Sequence, residues 1–150
     1  MLNGKYLDLY KSLSRHINKE RIFHDPLHTL AFGTDASFYR LIPKMVIKAR
    51  DEKEIALILI KCSGLNIPVT FRAAGTSLSG QAVTDSVLIL ATDGWKNYNI
   101  SEDGSTIYLQ PGLTGGFINT LLVPYGRKMG PDPASINAAT IGGIIANTVS

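Results

Sequence analysis

The chain has 150 residues, 45% hydrophobic and 18% charged, a composition that excludes intrinsic disorder and suits one globular domain or a piece of a larger protein. Fifteen Lys+Arg against 12 Asp+Glu leave a net charge of +3, with no block of like charges, so no nucleic-acid partner is expected. The single cysteine, Cys62, excludes an internal disulfide framework and any multi-cysteine metal site, and points to a reducing, intracellular setting.

Along residues 5–20, Tyr6, Leu9, Tyr10, Leu13 and Ile17 recur at helical spacing, with Lys5, Lys11, Arg15 and Lys19 on other faces. The pattern predicts an amphipathic lead-in helix, not a signal peptide. Asp25, Pro26 and the Gly33–Ser37 stretch break the periodicity and read as loop. Lys44–Lys48 (KMVIK) is a short apolar strand. Asp51 then takes the N-cap position with Glu54 three residues on, the pairing in which each side chain satisfies the other's free backbone N–H. Ile55, Ile58, Leu59 and Cys62 mark one buried face of the helix, and Gly64 is expected to close it with a positive φ. Ile67–Phe71 (IPVTF) is the second strand. Strand, helix and strand within about 28 residues form a βαβ unit, which predicts parallel strands.

A third apolar strand, Val87–Ala91, follows Arg72–Asp85. Tyr98–Ile100 and Thr106–Gln110 alternate like the arms of a hairpin across Asp103-Gly104. Thr114 is placed to cap a short helix burying Phe117, Ile118, Leu121 and Leu122; Gly126–Pro133 is irregular, and Ala138–Ser150 reads as the start of an element. The longest apolar runs, Ile55–Ile60 and Val87–Ala91, are far too short to span a bilayer, so the chain reads as soluble. The fold class is α+β: a small parallel βαβ subdomain, then the start of a mostly antiparallel one.

Chemistry concentrates in two segments. Arg72-Ala-Ala-Gly-Thr-Ser-Leu-Ser-Gly-Gln81 follows a parallel strand directly, at the strand's carboxyl end, where α/β sheets bind ligands. Small residues let the backbone approach a ligand, successive N–H groups can form an anion-holding concavity, and Thr76, Ser77 and Ser79 add hydroxyls. A diphosphate could be held there without a lysine. Gly75 and Gly80 have P-loop spacing, but Gln81 and Ala82 replace its Lys and Ser/Thr, and GxGxxG occurs nowhere in the chain. Composition alone leaves two readings level, a binding loop or a plain connection. The second segment, Gly130-Pro-Asp-Pro-Ala-Ser135 followed by Ala138-Ala-Thr-Ile-Gly-Gly143, offers stiff turns, the hydroxyls of Ser135 and Thr140, and a glycine pair against which a flat group could sit.

Together, Pro68–Gln81 (PVTFRAAGTSLSGQ) and Gly130–Asn147 (GPDPASINAATIGGIIAN) resemble the flavin-binding domain of FAD-linked oxidases. The likeness is to the vanillyl-alcohol-oxidase-like superfamily, in its D-lactate dehydrogenase and glycolate oxidase subunit branch, and runs from about Ser37 to the end. Ala31–Arg40 (AFGTDASFYR) resembles larger members with a fused iron–sulfur half. The resemblance implies that Ala73, Ala74, Gly75, Thr76, Ser77, Gln81 and Ala82 surround the FAD pyrophosphate. It implies that Pro131, Asp132, Ser135, Thr140, Gly142, Gly143, Ala146 and Asn147 line the flavin and its ribityl-diphosphate arm. Relatives that attach flavin covalently through the first loop carry a histidine where Thr76 stands, so FAD is expected to be noncovalent. Thr148 stands where relatives often carry Asn, a departure that bears on the last polar contact.

The implied domain organisation is a lead-in over 1–36 and an FAD-binding domain over 37–150, incomplete at its C-terminus, with subdomains at about 37–92 and 93–150. Catalytic residues are expected to lie outside this chain, which alone would be inactive. The intact protein is expected to oxidise a small 2-hydroxy acid, of D-lactate or glycolate type, by hydride transfer to FAD. Electrons would pass to a quinone, cytochrome or iron–sulfur partner, in the cytoplasm or peripherally at the inner membrane. The alternatives are a non-redox nucleotide- or phosphate-binding module and an interaction domain whose glycine-rich loops are structural. Among the remaining candidates, His24 and His28 lack a third ligand, and His16 falls on an exposed face. Cys62 reads as a small buried hydrophobe, Trp95 as packing, and Arg127 and Lys128 as solvated.

Overall fold

Val87–Leu90 (VLIL) carries no polar side chain, and a strand of that kind is stable only where both faces are covered. In the computed structural model, which describes residues 2–147, it is the inner strand β4 of a four-stranded sheet and is buried throughout. The order is β1-β2-β4-β3, with β1 Ile22–Phe23, β2 Met45–Lys48 and β3 Val69–Arg72. β2 and β3 each pair parallel to β4, with Ile47 and Phe71 both opposite Ile89. The two strands of the βαβ unit are therefore parallel but not neighbours, because the later strand inserts between them. β1 adds an antiparallel edge on β2, pairing Ile22 with Ile47.

The two faces of the sheet bury different sets. Met45, Ile47, Val87 and Ile89 face helices α1 (Gly4–Leu13) and α3 (Glu52–Gly64), meeting Leu9, Leu13, Ile17, Ile58 and Cys62 in the main core. Val46, Leu88 and Leu90 face the other way, toward Phe23 and Phe32. Each such burial stabilises by about 1.5–3 kcal/mol. Burial also pushes the Cys62 thiol up to about 11, so it sits in the core as an inert hydrophobe.

Local differences from the sequence reading have identifiable causes. The lead-in helix ends at Leu13; Ile17 still reaches the core through a turn, and a 3₁₀ segment, Lys19–Arg21, feeds β1. Asp25-Pro26 begins a helix, α2 (Pro26–Ala31), instead of breaking one: the Asp25 carboxylate accepts the His28 N–H, and proline at the first helical position loses no bond. The Asp51 cap forms, accepting the Glu54 N–H at 2.8 Å, but Glu54 reaches the N–H of Arg50 rather than that of Asp51. Glu54 also clamps Arg21 through two 2.6 Å bonds. Leu59 turns outward, since the buried stripe runs through Ile55, Ile58, Cys62 and Leu65. The left-handed residue after α3 is Asn66, φ 50°, and not Gly64.

Beyond β4 the chain builds a smaller unit. β5 (Tyr98–Ile100) and β6 (Ile107–Leu109) form the antiparallel hairpin, and Thr114 caps α4 (Gly115–Leu122) by accepting the Phe117 N–H. Its buried face is Ile118 and Leu122; Phe117 is instead half-exposed, its ring edge-on to Tyr98. α5 (Ile141–Ala146) joins this second core through Ile141 and Ile144. Buried Trp95 links the two units, its indole N–H donating to Ala49 O at 2.7 Å. No helix among the described residues is long and apolar enough to cross a membrane.

Candidate functional site

β3 is an edge strand, and the chain leaving it has no partner strand to follow. It turns at Gly75, φ +72°, a left-handed conformation that side-chain-bearing residues rarely adopt. Steric crowding adds to that requirement: a β-carbon on Gly75 would fall 2.6 Å from the Arg72 guanidinium. The Ser77 hydroxyl donates to the Gln81 side-chain oxygen, closing the far side of the turn.

The second segment arrives from the other unit. Turns over 134–138 are held by Ile136 N–H to Pro133 O and Ala138 N–H to Ser135 O. Thr140 forms a bridge with Thr114, and the N–H groups of Ile141 and Gly142 donate to Leu113 O and Pro111 O. Gly142 is needed for that contact, because a β-carbon there would meet the Pro111 ring at 2.7 Å. Gly143 stays open, with only the Ala73 methyl within reach of an added β-carbon, at 3.8 Å. The smallness of Gly142 is thus used against the chain itself, and that of Gly143 against the cleft.

The two segments face one another across a cavity of about 330 Å³. Ala73, Ala74, Gly75, Thr76, Ser77, Gln81 and Ala82 line one side, and Thr140, Gly142, Gly143, Ala146 and Asn147 the other. A neighbouring cavity of about 210 Å³ shares Thr76, Ser77, Gln81, Gly143 and Asn147 and continues past Ser135. Pro131 and Asp132 line neither; Asp132 is exposed, with Lys128 Nζ 3.9 Å away. Thr148 lies outside the described residues. Sequence reasoning did not name Phe71, Pro133, Ala139 and Ile144 among the lining residues, since apolar side chains of these types carry no mark separating a cavity wall from a core.

Among the described residues of this wall, one buried side-chain polar atom has no partner. Thr140 is 6% exposed, and its Oγ1 is buried without a hydrogen bond. Threonine at an N-cap ordinarily spends this oxygen on an N–H of the first helical turn, but Thr140 makes no such bond to α5. An unsatisfied buried hydroxyl costs about 1–3 kcal/mol, so it marks a place where a ligand group completes the structure. Among the described residues no lining residue of either cavity carries a charge, and the donors on offer are main-chain amides, hydroxyls and the amides of Gln81 and Asn147. That donor set fits a ligand rich in acceptor oxygens, with a flat group seated on glycine.

The profile of the FAD binding domain family matches residues 43–150. This chain belongs to that family. As an FAD binding domain it is 30% identical over 138 residues to glycolate oxidase subunit GlcD of Escherichia coli K12, covering 90% of this chain and 28% of the relative. It is also 30% identical over 103 residues to D-lactate dehydrogenase of Archaeoglobus fulgidus, covering 68% and 23%. In fold it matches a solved structure of alkyldihydroxyacetonephosphate synthase with a TM-score of 0.81, over 100% of this chain and 31% of that one. At 16% identity that likeness speaks for the fold alone. The chain thus spans less than a third of the length of each of these proteins. The resemblance to the flavin-binding domain of FAD-linked oxidases holds, with glycolate oxidase subunit GlcD and D-lactate dehydrogenase among the relatives it matches.

The histidines are elsewhere. His28 Nδ1 lies 2.8 Å from the Asp25 carboxylate, a pairing that lowers the Asp25 pKa, and His24 packs edge-on against Tyr10. Among the described residues no group of three or more His, Cys, Asp or Glu is placed to hold a metal ion.

Proposed function

We propose that this FAD binding domain holds FAD noncovalently in the cleft between the Ala73–Ala82 loop and the Thr140–Asn147 segment. The protein that contains it would oxidise a small 2-hydroxy acid. Thr140 carries the first part of this reading: a residue of the cleft wall, it holds a buried hydroxyl without a partner, in a wall of small residues and main-chain amides assembled from two segments distant in sequence. The relatives' names, glycolate oxidase and D-lactate dehydrogenase, support the second part.

When bound, FAD supplies a hydride acceptor for the alcohol carbon of such a substrate. The chain's residues bind and orient. The amides of Ala73–Ser77, at the end of β3, present donors to the diphosphate, and the Ser77–Gln81 bond keeps them turned toward the cleft. Thr140 Oγ1 and the Asn147 amide contribute on the opposite wall, and Gly143 leaves main chain bare for a flat ring system. Thr76 has no ring nitrogen with which to form a covalent flavin link. The 37–150 portion is proposed as the FAD-binding unit, its parts meeting near residue 93. Electrons would leave to a quinone, cytochrome or iron–sulfur acceptor elsewhere in the intact protein or its partner.

The test is a spectrum of the intact flavoprotein. Purified material should show flavin absorbance, release all of it to the supernatant on acid precipitation, and bleach anaerobically with D-lactate or glycolate. A colourless protein that ignores added FAD sinks the cofactor assignment. A yellow one that no 2-hydroxy acid bleaches sinks the substrate class alone.

A further inference from the structure

Among the described residues the cleft wall has no charge of its own, but a charge stands behind it. Arg72, the last residue of β3, turns back beneath the loop that it precedes. Its guanidinium donates through Nη1 to Thr34 O at 2.7 Å and Phe32 O at 3.2 Å, and lies over the Phe32 ring at 5.9 Å. The other edge of the same group, Nε and Nη2, lies against Gly75, within 2.6–2.7 Å of where a β-carbon would stand. Nearby, the Ala36 N–H donates to Gly75 O at 2.9 Å, and the Tyr39 ring packs on Gly80. The loop is therefore clamped from its rear by residues 32–39, and its front faces the cavity.

We infer that Arg72 is a positioning residue for the diphosphate cradle, holding the Gly75 turn open toward the cleft and setting a fixed positive charge one residue's thickness behind it. This deepens the FAD reading and rests on it. Arginine suits the place, because its planar fork can satisfy two carbonyls with one nitrogen and still turn a second N–H edge elsewhere. No carboxylate oxygen comes within 4 Å of it among the described residues; Asp35, whose Oδ2 is buried without a partner, acts on it from farther away and offsets its charge only in part. Burial pulls its pKa down while Asp35 works in the opposite direction, and guanidinium stays protonated throughout the range in which proteins fold. A lysine-free cradle thereby has a cation, though no sequence template would have found it.

The experiment is a titration of the full 150-residue chain with FAD, with ADP as a second probe, at several ionic strengths. Arg72→Gln and Arg72→Lys are compared with wild type, and folding is checked by circular dichroism. The expected result is that Arg72→Gln weakens FAD and ADP about tenfold and flattens the salt dependence. Arg72→Lys should restore that dependence and recover most of the affinity. Unchanged affinity in Arg72→Gln overturns the inference and leaves the FAD reading intact, as does equal weakening in both variants with an unchanged salt slope. Salt-independent FAD binding by wild type overturns it even where Arg72→Gln does not fold. A wild-type chain that binds neither probe removes the cradle itself, and the inference with it.

Discussion

β4 and β3 are neighbours in one sheet, paired in register, and they do opposite work. Ile89 on β4 is fully buried, whereas Phe71, its partner on β3, is 48% exposed and borders the cleft. The inner strand is apolar on both faces and stores stability. The edge strand leads into a loop of glycine, alanine and hydroxyl residues that bury little and leave amides free. The lesson is that the site is cantilevered from the core: its position depends on β4, while its chemistry depends on residues that contribute little to folding.

The comparison breaks most directly at that registered pair. Ile89→Ala removes a fully buried side chain and should cost about 2–5 kcal/mol in urea denaturation. Phe71→Ala deletes a larger side chain, yet should cost less than half as much, because half of it already meets water. Equal costs would mean that the edge strand is as much core as the inner one. Glu54 sharpens the same division from the helix side. Its carboxylate, with Arg21, is mostly buried, and the Arg21 hydrogen bond lowers its pKa, with burial opposing. A lowered folded-state pKa gives stability that is present above the unfolded value, about 4.3, and is lost as pH falls through the folded one. Glu54→Gln should therefore lose about 1–3 kcal/mol at pH 7 and show a flatter acid limb below pH 4.5 than wild type.

How much of this was visible in the letters follows from range. The Asp51 cap, the apolar stripe of α3 apart from Leu59, and the Asp103-Gly104 turn are local, so spacing revealed them. Asp25-Pro26 was local too and still misread, since proline breaks a helix interior but suits its first turn. The insertion of β4 between β2 and β3 has no local signal, as it depends on which strand finds which edge. At the site, Ala73–Ser77 stood out because so many small residues in succession are unusual. The wall residues Phe71 and Ile144 did not, because they look like core. Arg72 read only as the first letter of a motif, its role depending on Phe32 and Thr34 some forty positions away.

Within the loop itself, Gly75→Ala probes the turn. An L side chain at φ +72°, pressed against Arg72, should cost about 1–2 kcal/mol of stability and weaken FAD binding more than tenfold, read by fluorescence titration. The same change at Gly64, which has open space around it and no left-handed φ, should stabilise α3 by a few tenths to about 1 kcal/mol. Loss of stability at both would show that position in the loop is not what makes the first glycine necessary.

The smallest effect is the most discriminating because its two readouts move in opposite directions. Thr140 Oγ1 is buried and unpaired, so in the ligand-free protein it is a liability of roughly 1 kcal/mol. Thr140→Val keeps the branched shape at the start of α5 and removes only that liability, so the melting temperature should hold or rise by a few degrees. If the hydroxyl exists for the cofactor, FAD affinity should fall about five- to tenfold in the same variant, the worth of one hydrogen bond. A core residue behaves otherwise, losing stability and function together, as Ile89→Ala should. A Thr140→Val protein that loses stability while keeping its full affinity for FAD would place this side chain on the β4 side of the comparison, as scaffold and not as site.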